Sequence, residues 1–244
     1  MTSPPRYALY FVPAPDSDLY RLGAGLLGYD AFSGEEWPFP DDVIAELPDW
    51  HDLTRDPRKY GFHATLKAPI TLADGETEAN LLAACVDFAR SYVTATRPLP
   101  RIRPVARALG SFIALVPDEP SPALQELAQT CVEAFDRFRA PLTPQDRARR
   151  NPVALSARQL AYLDRWGYPY VNDEFRFHMT LTGRVPADRR EAVLELLRER
   201  TRAHTHAGAT LAIDRLAVFR QETSTARFRV IAHHPLQSRE TTST

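Results

Sequence analysis

Lysine is almost missing from this 244-residue chain: of its 30 basic residues only Lys59 and Lys67 are lysines, the others being arginines. Cysteine is scarce as well. Cys85 and Cys131 form no Cys-x-x-Cys pair, so they read as buried, reduced thiols. Thiols of that kind suit a reducing compartment, and the expected location is cytoplasmic. There is no excess of charge of either sign, with 30 Lys+Arg against 31 Asp+Glu, which argues against a basic platform for long nucleic acid. Long apolar runs are missing too. Nothing approaches the roughly 18 residues of a membrane span. The run from Tyr7 to Pro13, closed by proline, reads as a strand rather than the apolar core of a secretory signal.

What remains is ordinary for a globular protein, 44% apolar and 25% charged, and long enough for one large domain or two intimate lobes. The periodicity predicts strands over 7–12, 60–67, 101–109, 111–116, 175–182, 211–219 and 226–233. Helices are expected over 77–96, with Thr77 as N-cap, over 122–138, with Pro122 in the first turn, and over 145–150, 156–166 and 186–202. Residues 13–59 read as loop-rich, with a short helix within 18–27. The segment 121–166 reads as a helical insert, and the polar tail 237–244 as flexible.

Laid on itself at an offset of 115 residues, the chain repeats. YGFHATLKAPI, from Tyr60 to Ile70, aligns with FRFHMTLTGRV, from Phe175 to Val185. Phe62, His63, Thr65 and Leu66 match Phe177, His178, Thr180 and Leu181, and helix, strand, strand follow each copy. The expected fold is therefore α+β: a bilobal duplicated module of antiparallel sheets, with helices packed outside and a central cleft between the two His-x-Thr motifs. Its halves are expected at about 60–116 and 175–233.

Strand alternation sorts the side chains. Phe62, Ala64 and Leu66 should face the core, leaving His63, Thr65 and Lys67 on the opposite face. In the second copy Phe177, Met179 and Leu181 go inward, and Arg176, His178, Thr180 and Thr182 outward. Two imidazoles, two hydroxyls and nearby cations suit a phosphodiester. One neutral histidine accepts a proton from a hydroxyl or water while the other, as imidazolium, protonates the leaving oxygen. The threonines donate to non-bridging oxygens, and Lys67 or Arg176 offsets developing charge. That scheme needs no metal, and no third ligand with firm spacing accompanies the histidines.

The paired motifs His63-Ala64-Thr65 and His178-Met179-Thr180 resemble those of the two-histidine (2H) phosphoesterase superfamily. The stretches RYALYFVPAP, LLGYDAFSGE, YGFHATLKAP, FDRFRAPLTPQDRARRNP, WGYPYV and FRFHMTLTGR are similar, more closely, to a family of phosphonate-metabolism proteins of unknown function within it. The resemblance covers roughly residues 6–232. It implies a bilobal α+β fold, metal-independent attack on a phosphoester without a cofactor, and catalytic roles for His63, Thr65, His178 and Thr180. It leaves the substrate open, a cyclic phosphate of a phosphorylated ribose being one candidate.

Further substrate contacts are expected from Tyr10, on the opposite face of the first strand from Tyr7, from Tyr168 beside Pro169, and from Arg139. Arg147, Arg149 and Arg150 read either as phosphate ligands or as a solvated helix face. The leading function is hydrolysis of a small cyclic phosphate. RNA-end processing, as a 2′,3′-cyclic phosphodiesterase or a ligase-like enzyme, and non-catalytic binding of a phosphorylated metabolite are the alternatives. The partner expected is a small phosphorylated molecule; which histidine is base, and the oligomeric state, stay open.

Overall fold

A computed structural model describes residues 4–237; the tail expected to be flexible lies outside them, except for Gln237. Gln237 is held by backbone bonds, its N–H donating to the Ala89 carbonyl and its carbonyl accepting from Val93. In chain order the elements are β1 (Arg6–Phe11), α1 (Asp18–Leu27), α2 (Asp41–Glu46), α3 (Trp50–Leu53), α4 (Arg55–Arg58), β2 (Ala64–Ile70), α5 (Glu78–Ser91), β3 (Arg101–Ile102), β4 (Pro104–Leu109), β5 (Phe112–Pro117), α6 (Pro122–Ala134), α7 (Pro144–Ala148), α8 (Ala157–Trp166), β6 (Met179–Thr180), α9 (Arg190–Thr205), β7 (Leu211–Ala212), β8 (Arg215–Gln221) and β9 (Arg229–Pro235).

Local chemistry explains most helix ends. The hydroxyls of Ser17, Thr77, Ser121 and Ser156 each accept the orphan N–H three residues on, capping α1, α5, α6 and α8. Pro122 occupies the first turn of α6, where its missing N–H costs nothing. Gly28 and Gly167, at φ of 67° and 73°, close α1 and α8 in the left-handed conformation that other residues resist. Among the described residues no helix is long and apolar enough to cross a membrane.

Instead of separate sheets facing each other, one seven-stranded antiparallel sheet carries the fold, in the order β4-β5-β6-β2-β1-β8-β9, with β3-β7 as a small second ladder. The strands that carry the two motifs, β2 and β6, are immediate neighbours in its middle, joined through the pair Ala64–Met179. The hairpin that follows β2 in sequence lies beside β6, and the one that follows β6 lies beside β1. Helix α9 packs on β4, and α5 on β8 and β9, so each helix covers the hairpin from the other motif's half of the chain.

Several expected boundaries move. Residues 60–63 precede the strand rather than form it, because Gly61, at φ 74°, turns the chain. Beyond them β2 runs on through Pro69 to Ile70. The strand expected over 175–182 shrinks to Met179–Thr180, since the N–H groups of both Leu181 and Thr182 bond the Ile113 carbonyl and the ladder ends in a bulge. Helix α5 stops at Ser91 and α6 at Ala134, the latter followed by a 3₁₀ turn, Asp136–Phe138. Helix α9 starts four residues late. The region 13–59 holds three short helices, α2 to α4, besides α1.

Candidate active site

The Ala64–Met179 pair dictates the geometry of the site. In an antiparallel ladder the residues flanking a pair oppose each other in turn, so His63 lies across from Thr180 and Thr65 across from His178. The inward set behaves as alternation requires: Phe62, Ala64, Leu66, Phe177, Met179 and Leu181 are all buried. The two histidines therefore stand diagonally on one face, each beside the other strand's threonine.

Each imidazole is held in the same way. His63 Nδ1 lies 2.8 Å from the Gly61 carbonyl, and His178 Nδ1 lies 2.8 Å from the Arg176 carbonyl. A carbonyl only accepts, so both rings carry their proton on Nδ1, leaving the Nε2 lone pair free. Burial pushes His63 down to about 4, against the opposing pull of the Gly61 carbonyl, and the neighbouring His178 lowers it further. Burial also lowers His178. Both are neutral at pH 7 until an anion enters and favours the imidazolium.

Tyr10 provides the floor. It pairs with Thr65 across β1 and β2, is 1% exposed, and stacks on the His63 ring with centroids 3.8 Å apart and planes 22° from parallel. Phe219 packs against both rings, 4.9 Å from that of Tyr10 and 5.8 Å from that of His63. Phe112 lies 5.6 Å from His178. A cavity of about 690 Å³ opens beside His178, reached by Thr65, Arg176 and Tyr168 and walled by rings and aliphatic groups, among them Leu109, Phe112, Tyr170 and Phe175.

The expected cations divide. The exposed side chain of Arg176 lines the cavity. Lys67 does not reach it: with 4% of its side chain exposed, it donates to the Val132 carbonyl at 2.9 Å and pairs with Asp136 at 3.3 Å. Burial lowers its ammonium to about 8. Arg139 is taken up by the same carboxylate, at 2.9 Å, and donates to the Arg165 carbonyl. These two residues fasten the turn after α6 to β2. Sequence alternation placed Lys67 on the right face but did not show that α6 covers that end of it. Thr182, expected outward, is buried and bonds Ile113 and Gly183. Arg147 pairs with Asp164 and Arg149 with Asp146, whereas Arg150 lies over the Tyr168 ring, 5.0 Å from its centroid.

Alternation alone did not disclose Gly61 and the Arg176 carbonyl as the histidines' supports. Tyr60, with its ring 6.2 Å from that of His63, was also missed, although it stands three residues before His63. Among the described residues no three His, Cys, Asp or Glu side chains converge as a metal site would require.

Two His-x-Thr motifs thus lie on adjacent antiparallel strands, each imidazole held at Nδ1 by a backbone carbonyl. The chain belongs to the family described as Protein of unknown function (DUF1045), whose model matches residues 65–229. It is 39% identical over 227 residues to a Janthinobacterium sp. (strain Marseille) protein named ribose 1,5-bisphosphate phosphokinase PhnN, covering 91% of this chain and 49% of that one. A Laribacter hongkongensis (strain HLHK9) protein of the same name is 32% identical over 225 residues, covering 92% and 50%. The chain thus spans about half the length of these curated relatives. A solved structure titled as a phosphoesterase aligns over 97% of this chain and 100% of its own, at 13% identity and a TM-score of 0.41.

Proposed function

We propose that the protein is a metal-independent phosphodiesterase that opens a small cyclic phosphate, acting in phosphonate metabolism. One observation carries this reading: two half-buried imidazoles, each fixed at Nδ1 by a backbone carbonyl, share one sheet face with Thr65 and Thr180. In the proposed reaction one Nε2 takes a proton from water as the oxygen attacks phosphorus. The ring P–O bond breaks, and the other imidazolium protonates the departing alkoxide, leaving a phosphate monoester and a free hydroxyl. The threonine hydroxyls donate to the non-bridging oxygens, where negative charge grows. His63 and His178 are the acid–base pair, in an order set by how the substrate lies.

A cyclic phosphate on ribose 5-phosphate is the favoured substrate, because opening it leaves a bisphosphate of ribose, the compound in the relatives' names. The test is turnover of a panel of cyclic phosphates with excess chelator present. Turnover that His63→Ala and His178→Ala each reduce on the order of 100-fold or more is the expected result. Full activity in both variants, or activity that the chelator abolishes, would refute it.

The aromatic walls of the cavity, Phe112, Tyr170 and Phe175, favour one second reading, an RNA 2′,3′-cyclic end whose base stacks there. The same panel discriminates, since that reading requires the nucleotide ester to be the faster substrate.

A further inference from the structure

The cations near the cleft do not lie where the reacting phosphate alone would need them. Lys67 and Arg139 are consumed by Asp136, and a cyclic phosphodiester carries a single negative charge that one imidazolium, the threonine hydroxyls and Arg176 can meet. Two other guanidiniums lie over aromatic rings of the site. Arg6 lies over the Phe228 ring, 5.5 Å from its centroid, and Phe228 stacks on Tyr60 at 5.1 Å. Arg150 lies on Tyr168.

Tyr10 ties the two sides together. Its strand partner Thr65 lines the cavity together with Tyr168, and its ring lies 6.4 Å from that of Phe228, over which Arg6 sits; burial raises its phenol well above the ordinary value, and the charges of Arg6 and Arg150 both oppose that rise. The hydroxyls of Tyr7, Tyr20 and Tyr29 bond Glu78, Asp30 and the Phe228 carbonyl. Those of Tyr10, Tyr60 and Tyr168 have no protein partner among the described residues. Nor does any carboxylate among them pair with Arg6 or Arg150. Arg6 gives Nε and Nη2 to Gln221, at 2.8 and 2.5 Å, and keeps Nη1.

We infer that the Tyr10, Tyr60 and Tyr168 hydroxyls, with Arg6 and Arg150, form a second anion subsite next to His63, which holds a phosphate monoester borne by the same molecule whose cyclic phosphate the histidines attack. This rests on the function proposed above and assigns the residues that hold the separate phosphate monoester of its favoured substrate. A monoester carries close to two negative charges at neutral pH, which two guanidiniums balance and a single one does not. Phenol donors add orientation without further charge, and Tyr10 couples the subsite to the catalytic imidazole by direct stacking.

The test compares ribose 5-phosphate 1,2-cyclic phosphate with the same cyclic ester lacking the 5-phosphate. The expected result is a kcat/KM at least tenfold higher for the first, expressed mainly in KM. Arg150→Gln should narrow that gap about tenfold or more, Arg150→Lys should retain part of it, and Arg149→Gln, whose guanidinium pairs with Asp146, should leave it as it is. Equal kcat/KM for the two esters, or equal losses on both in Arg150→Gln, would overturn the subsite. If neither ester is turned over, the proposed reaction fails on this substrate, and calorimetry with ribose 5-phosphate still decides the subsite. Binding that Arg150→Gln weakens tenfold supports it; no binding, or binding that Arg150→Gln leaves unchanged, overturns it. Matching thermal melts of the variants exclude misfolding as the cause.

Discussion

Ala64 of β2 and Met179 of β6 oppose each other at the centre of the sheet, both fully buried, and this contact brings the two His-x-Thr motifs onto one face. The site therefore depends on core packing directly beneath it. Ala64→Leu adds three carbons where there is no space, and it is expected to lower unfolding free energy by about 1–3 kcal/mol. Activity toward the cyclic phosphate should fall with it, because the motifs lose register. A urea melt paired with an activity assay checks this; unchanged activity in a destabilised variant would separate the pair from the site.

Two neutral histidines set the pH dependence. His63 is pushed down to about 4 by burial, and His178 is lowered from 6.5 by the same cause. A base–acid pair needs one ring neutral and one protonated, so kcat/KM should trace a bell with both limbs below 6.5. A plateau extending past pH 8 would exclude the pair. Stability follows the same groups. The unfolded chain binds protons at these rings at higher pH than the folded one, so stability is complete above about 6.5 and declines as pH falls toward 4. His63→Gln should flatten part of that decline in melts recorded across the range.

Asp136 is the shared partner of Lys67 and Arg139. Burial pushes its carboxyl up, but the guanidinium and ammonium outweigh this and hold it below the usual range. Asp136→Ala strands a buried ammonium, and the loss expected is about 3–5 kcal/mol. Lys67→Met, which fills the same space without charge, should cost less. Urea unfolding of the two variants checks the order, and a larger loss in Lys67→Met would contradict it.

Gly61 has two constraints. Its φ of 74° is a conformation that a side chain resists, and an added Cβ would stand 2.8 Å from the Cβ of Ala31. Its carbonyl also holds His63 Nδ1. Gly61→Ala is expected to cost about 1 kcal/mol or more in stability. It should also reduce kcat more than the melt accounts for, since the imidazole loses its support. A variant with a lowered melt and undiminished kcat would show that the carbonyl does not position the ring.

Much of this architecture is legible in the residues because it is local. Thr77, Pro122 and Gly167 mark helix ends through their own backbone chemistry, and α5, α6 and α8 lie where the periodicity places them, within a few residues. Alternation of period two sorts Phe62, Ala64 and Leu66 from His63 and Thr65 without any knowledge of neighbours. Four-residue helices such as α3 and α4 leave no such signature, since one turn has no periodicity to read. The second motif strand looks long in sequence and is two residues in space, because a bulge on Ile113 is invisible from one strand alone.

The sequence by itself determined that Phe62, Ala64 and Leu66 turn away from His63 and Thr65, that the motif occurs twice, and the acid–base chemistry those residue types permit, since each follows from bond geometry and residue identity. The tertiary structure alone decided that β2 and β6 are adjacent and that the hairpins exchange sides. It also decided that Lys67 and Arg139 are spent on Asp136 while Arg6 and Arg150 lie over the Phe228 and Tyr168 rings. Strand neighbours and ion pairs join residues far apart along the chain, and the balance of burial against charge at each is settled only once the sheet has closed.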